Sequence, residues 1–254
     1  MIRVNNVLDN PLVQVVAENG CFKVLEYDRD LSVTPDSAIT AYFAAEMDVR
    51  KRQLYCDLSR TKSGIILQAG EMQWMAGDVN VRTGVKGVGD FAKKMFTGMV
   101  TNETGVKPEY TGTGLMMTEP TYKHLLLLDV DEWGGHVVLD DGLFLACEAS
   151  LALKITARSN LSSVVLGNEG LLNLSLQGSG ICCLEAKCPM EELVLVELEN
   201  DVLKIDGNFA IAWSAGLQFT VERTTPSLVG SAASGEGLVN VYRGTGKVLM
   251  MPLD

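Results

Sequence analysis

The hydrophobic positions of this chain fall in short runs that are separated by turns rich in glycine and aspartate. Residues 12–32 alternate on either side of a Glu-Asn-Gly turn, which predicts a hairpin. Residues 70–78 predict a strand that ends in a turn at Gly77 and Asp78. Dense short strands of this kind are typical of an all-β protein.

Two segments depart from this pattern. Within residues 42–60 an alanine-rich start is compatible with a helix, but the apolar run after it resembles a strand, and we interpret the segment as a strand. A short helix is predicted near 90–97, where Asp90 can cap the helix and Phe91 and Met95 share one face. Lysines beside this helix form a small basic spot, which we interpret as a solvated helix face rather than a contact with a small anion or a membrane surface.

One tripeptide recurs along the chain. Gly-Thr-Gly, Gly-Ser-Gly and Gly-Thr-Gly begin at positions 112, 178 and 244, so the two intervals between the copies are equal. Because glycine adopts positive φ without steric cost, each copy predicts a tight bend at the corner of a repeated β unit. We predict three units in one compact body, at residues 1–111, 112–177 and 178–254, folded as a β-sandwich, a barrel or a β-helix-like body.

Composition and charge narrow the possible functions. The chain has 254 residues, of which 47% are hydrophobic and 21% charged, as in soluble globular proteins. Its net charge of −11 argues against DNA or RNA as a partner, since nucleic-acid surfaces neutralise phosphates with lysine and arginine. The first residues mix charged and polar side chains into what would be the apolar run of a secretory signal, and no apolar stretch is long enough to span a bilayer. We therefore expect a cytoplasmic protein.

The six cysteines are expected to be free thiols in a reducing compartment. Cys182, Cys183 and Cys188 form the one cluster that raises the question of a metal. Their spacing lacks the paired C-x-x-C of zinc sites, and the only histidines, His124 and His136, are distant in sequence. We predict no metal site and no cofactor.

A catalytic site would need a nucleophile with a base, a pair of carboxylates or a metal set. The best candidates are acidic residues near the two histidines, and they are Asp129, Asp131, Glu132, Asp140 and Asp141. The aspartates that precede Gly142 are also what a turn requires. A Gly-Val-Gly before the predicted helix lacks the Lys-Ser/Thr ending of a phosphate-binding loop. We therefore predict no catalytic residues and no enzymatic activity.

The assembled motifs resemble a known family. Residues 234–239 (SGEGLV), residues 244–248 (GTGKV) and residues 142–146 (GLFLA), together with the glycines at 70 and 77, are similar to the pattern of the altered-inheritance-of-mitochondria family. The resemblance implies an all-β fold related to the double-stranded β-helix of the tryptophan RNA-binding attenuation protein. It also implies that the protein forms homo-oligomers and is related to bacterial proteins of unknown function. No catalytic residues are known for the family.

Two functional hypotheses follow. The first is a non-enzymatic protein that acts through homo-oligomeric assembly and contact with a protein partner. The alternative is a ligand-binding module, for a metabolite rather than RNA, with its pocket at a seam between units or subunits. The tryptophans at 74, 133 and 213 are candidates for lining such a pocket, although core or interface packing is the simpler interpretation.

Overall fold

The computed structural model describes residues 2–85, 106–157, 172–223 and 238–252, and these ranges consist mainly of β-structure. This confirms the predicted all-β class. The strands are β1 (Val13–Asn19), β2 (Phe22–Tyr27), β3 (Lys51–Asp57), β4 (Ile65–Leu67), β5 (Met72–Arg82), β6 (Glu109–Thr118), β7 (His124–Asp129), β8 (His136–Leu139), β9 (Phe144–Glu148), β10 (Ala152–Ala157), β11 (Leu172–Gln177), β12 (Ile181–Ala186), β13 (Val194–Ile205), β14 (Ala210–Ser214), β15 (Gln218–Arg223) and β16 (Leu238–Met250). Helix α1 spans Ala38–Glu46, and 3₁₀ turns occupy Leu58–Arg60, Val130–Trp133 and Met190–Glu192.

The strands form two sheets. The larger has the order β1-β2-β3-β6-β4-β9-β12-β7, with β5 paired to β6. The smaller has the order β10-β11-β8-β14-β16-β13, with β15 paired to β16. The larger sheet curls around a core that we call the barrel core, which includes Phe22, Leu54, Met116, Leu145 and Cys183. No ladder joins β1 to β7 in the described part of the chain, so this nearly closed barrel keeps an open seam.

Strand β12 belongs to a wall that is buried on both faces. Successive side chains of a strand point to opposite faces, and Ile181 and Cys183 accordingly enter the barrel core. Cys182 and Leu184 enter a second, central core, which the two sheets share. Strand β7 divides in the same way, with Leu125 in the barrel core and Leu126 in the central core. Such a wall requires near-continuous apolar sequence.

A third core lies on the other face of the smaller sheet. Trp213, Phe219 and Tyr242 are buried there. The Tyr242 ring centroid lies 5.6 Å from that of Trp213 and 5.1 Å from that of Phe219, and such distances are typical of aromatic pairs. Trp133 is buried in the central core. These two tryptophans pack in the interior, as the simpler interpretation expects.

Comparison with the predicted elements gives one agreement and two corrections. The hairpin at 12–32 is confirmed by the antiparallel pairing of β1 and β2. The strand interpretation of 42–60 is wrong for its first part, because α1 runs to Glu46 and the strand starts only at Lys51. The turn at Gly77 is wrong as well: β5 continues to Arg82, and Gly77 stays in the ladder with a φ of +116°. The helix predicted near 90–97 lies outside the described residues.

The first glycine of each repeated tripeptide has a positive φ, of +114° at Gly112, +130° at Gly178 and +122° at Gly244. Gly112 and Gly244 lie inside strands β6 and β16. Strand β6 pairs with β4 before its glycine and with β3 after it, and β16 changes from β15 to β14 in the same way. Gly178 lies between β11 and β12, which belong to different sheets. The tripeptide therefore marks a change of pairing partner, while the division into three units stays a prediction.

The close approach of β5 to β6 makes Gly112 a sensitive position. A Cβ atom there would lie 2.1 Å from the carbonyl oxygen of Asp78, whereas Gly70 has a φ of +94° and no atom within 4 Å of its Cβ position. Both alanine substitutions carry a conformational cost of about 1–3 kcal/mol. We expect Gly112→Ala to cost at least about 2 kcal/mol more than Gly70→Ala, because it also displaces a ladder strand. Urea unfolding measures both, and equal losses would contradict the steric argument.

Candidate functional site

The cysteines lie in the interior of the protein and contribute to its packing. All six are free and buried. Cys182 and Cys183 point into different cores, so their sulfur atoms do not converge. Burial raises the pKa of Cys21 and of Cys182 to about 12. In the described ranges, no three histidine, cysteine or acidic side chains lie close enough together to hold a metal ion.

Three of the acidic candidates accept hydrogen bonds from other residues of the chain. Asp129 caps the 3₁₀ turn Val130–Trp133, its Oδ1 accepting a hydrogen bond from the Asp131 N–H at 3.0 Å. The Asp131 Oδ2 accepts a hydrogen bond from the Ser179 hydroxyl at 2.6 Å. The Asp141 Oδ1 accepts a long hydrogen bond of 3.5 Å from Asn173. His124 lies on β7 and His136 on β8, in different sheets.

A partly buried ion pair lies at one end of the barrel core. Glu26 on β2 and Arg52 on β3 are opposite each other in the ladder. An Nη atom of Arg52 lies 2.5 Å from Glu26 Oε2, and the other Nη donates to the Arg50 carbonyl at 3.2 Å. Only 8% of Arg52 is exposed. Val24 and Leu54, two residues away on each strand, reach the barrel core, so the ion pair faces inward.

The ion pair borders a cleft at the open seam of the larger sheet. This seam cleft has a volume of about 340 Å³ and lies between β1 and β7, with the 3₁₀ turn Met190–Glu192 at its rim. Its walls are mainly aliphatic, and its polar lining is confined to Glu26, Arg52, His124 and Glu191. Burial lowers the pKa of His124, and the nearby Arg52 guanidinium lowers it further against the opposing effect of Glu26. The imidazole is therefore neutral at pH 7.

Helix α1 presents an exposed apolar surface. The exposed fractions are 74% for Ile39, 60% for Tyr42, 61% for Phe43 and 74% for Met47, and we call these four residues the α1 surface. The helix has no buried residue, no side-chain hydrogen bond at its N-cap and no charged residue that complements its dipole. A helix of nine residues is marginal without packing. No described helix is long and apolar enough to cross a membrane.

A groove separates α1 from the neighbouring strands. It has a volume of about 460 Å³, and Tyr27, Tyr42 and Tyr122 line it together with charged residues of both signs. The Lys51 Nζ lies 2.5 Å from Asp30 Oδ2 and 5.4 Å from the centre of the Tyr122 ring. A concave, partly aromatic surface thus lies directly beside the projecting side chains of α1.

Sequence reasoning singled out His124 but missed its surroundings. Arg52 and Glu26 meet across a ladder, and nothing in their sequence spacing indicates it. The signal for α1 was present in residues 38–46 (AITAYFAAE), where only Thr40 and Glu46 are strongly polar and no polar face forms. A helix without a polar face is usually buried, either in the core of its own chain or against another molecule.

Comparison with known proteins relates this chain to a protein family and to a solved structure. The sequence profile described as mitochondrial biogenesis AIM24 matches residues 46–253. An uncharacterized protein of Streptococcus pyogenes serotype M6 is 24% identical over 198 residues, which cover 75% of this chain and 77% of that protein. The crystal structure of a Streptococcus pyogenes protein aligns with a TM-score of 0.56 at 23% identity, over 81% of this chain and 89% of the other. The structural likeness shows a shared fold.

The burial of the thiols predicts low reactivity. Because the pKa of Cys21 and of Cys182 is about 12, little of either is thiolate near neutral pH, and the thiolate is the reactive form. We expect iodoacetamide at about pH 8 to label the folded protein at less than roughly a tenth of the rate for the denatured chain. Mass spectrometry counts the labels, and one rapidly modified cysteine in the folded protein would contradict this expectation.

Proposed function

We propose that this chain, which belongs to the mitochondrial biogenesis AIM24 family, acts without catalysis by associating with further copies of itself through the α1 surface. The assembled protein then serves as a platform for contact with a protein partner. The observation that carries this proposal is a helix whose large apolar side chains all face solvent.

The spacing of the exposed side chains supports a packing role. Ile39 and Phe43 on α1 and Met47 at its C-cap are four residues apart and so form a row along one side of the helix. Full burial of a side chain of this size contributes about 1.5–3 kcal/mol. Association also has a cost in translational and rotational freedom, so a row of three on each copy is of the right order for a reversible dimer.

The groove beside α1 supports self-association in particular. A twofold interface uses the same patch on both subunits, so this patch must contain both a projection and a recess that accepts it. The apolar row of α1 and the groove of about 460 Å³ adjoin each other on this surface. Tyrosines in the groove suit such a contact, because their rings bury apolar area while the hydroxyl forms a hydrogen bond, as that of Tyr27 does with Gln53.

The absence of a catalytic role remains part of the proposal. Two of the acidic candidates already make hydrogen bonds within the fold. Asp129 accepts one from the backbone of a 3₁₀ turn, and Asp131 accepts one from the Ser179 hydroxyl. An activity that depends on His136 or Asp140 would refute this part of the proposal. Such an activity is sought by screening general hydrolase substrates with the wild-type protein and with His136→Ala.

The assembly is tested with Phe43→Asp. Native mass spectrometry is expected to show an oligomer of the wild-type chain and a shift toward monomer for the variant, because a charge on the α1 surface is costly to bury at an interface. The melting temperature is expected to stay within a few degrees, since Phe43 is 61% exposed.

Ile155→Asp is the matched control, because Ile155 is a 44% exposed apolar residue on β10, outside the α1 surface. It is expected to keep the oligomer. A wild-type protein that stays monomeric at every concentration, or an oligomer that Phe43→Asp leaves intact, would refute assembly through α1.

A further inference from the structure

The seam cleft reaches the interior of the protein. Val24 and Leu125 line it and belong to the barrel core, where they are 1% and 6% exposed. Strands β1 and β7 are the two ends of the strand order in the larger sheet, and the cleft opens where they fail to pair. An aliphatic chain that enters there contacts aliphatic walls on both sides. The cleft volume of about 340 Å³ lies within the range of small-molecule sites.

The polar end of the cleft offers hydrogen-bond donors. The Arg52 guanidinium has five N–H groups, and its contacts with Glu26 and with the Arg50 carbonyl use only some of them. The side chain also lines the cleft. A ligand atom at this end therefore lies beside an arginine whose position is fixed by these two contacts and which has further N–H groups for hydrogen bonds. The neutral His124 imidazole adds one donor and one acceptor.

The charge balance at this end selects the head group of the ligand. Glu26 already neutralises Arg52, and Glu191 adds a further carboxylate at the rim. A carboxylate ligand would place another negative charge beside these two, and an ammonium ligand would lie next to the guanidinium. Either unpaired charge is costly in a partly buried site. An uncharged acceptor satisfies the arginine donors without that cost.

We propose that the seam cleft binds an amphiphile with an aliphatic chain and an uncharged head group, such as a carboxamide, whose carbonyl oxygen accepts hydrogen bonds from Arg52. This site is separate from the α1 surface, so binding does not depend on the oligomeric state.

Octanamide, octanoate and octylammonium test the proposal, because they share a chain and differ in head-group charge. Isothermal titration calorimetry on the full chain is expected to show saturable octanamide binding. Because an unpaired charge is costly in this partly buried site, we expect the two charged ligands to bind at least about tenfold more weakly.

Two kinds of variant locate the site. Ala17→Leu fills the cleft from β1, and Val16→Trp covers it from a position that is 48% exposed and tolerant of size. Both are expected to abolish octanamide binding. The charge-neutral double variant Arg52→Leu with Glu26→Gln removes the donor and is expected to weaken octanamide binding about tenfold.

The matched control is Arg243→Leu with Glu222→Gln. This pair likewise joins an arginine and a glutamate on neighbouring strands, with 2.6 Å between Nη1 and Oε1, but it lies in the other sheet. Octanamide binding unchanged by this control and lost in the Val16 and Ala17 variants supports the proposal. Absence of saturable binding, binding that survives both cleft-filling variants, or equal affinity for a charged ligand would overturn it.

Discussion

The structure depends on a wall of strands that is apolar on both faces. Strands β7 and β12 separate the barrel core from the central core, and their side chains alternate between the two. Neither face tolerates a polar residue without a partner, because a buried unpaired polar group costs several kcal/mol. Cysteine suits such a position, being small and weakly polar. Cys182 and Cys183 thus follow from the wall, and their high pKa is a consequence of the same burial.

The wall also explains the positive φ of Gly178. A strand that borders two cores must change its pairing partner where one sheet ends and the other begins, and the chain bends there. Between β11 and β12 the chain passes from the smaller sheet to the larger one. A Cβ atom on Gly178 would lie 3.0 Å from the carbonyl oxygen of Ser150. The bend requires both a left-handed backbone and the absence of a side chain, and glycine alone provides both.

Features of the fold that depend on neighbouring residues were predictable, and those that depend on distant contacts were not. Alternation around Gly20 predicted the first hairpin. The continuation of β5 through Gly77 could not be predicted, because only contact with Gly114 of β6 keeps that residue in the ladder. Helix α1 gave no helical period, since a mainly apolar segment has no polar face to reveal one. The ion pair between Glu26 and Arg52 exists only through the pairing of β2 with β3.

The two proposed surfaces use opposite faces of the same two strands. On β2, Glu26 faces the seam cleft and Tyr27 faces the groove beside α1, and on β3 Arg52 and Lys51 divide in the same way. This follows from the alternation of side chains along a strand. Replacing Glu26 and Arg52 therefore leaves the groove side chains Tyr27 and Lys51 in place. Loss of ligand binding with the oligomer intact would assign the cleft to small molecules and α1 to protein contact.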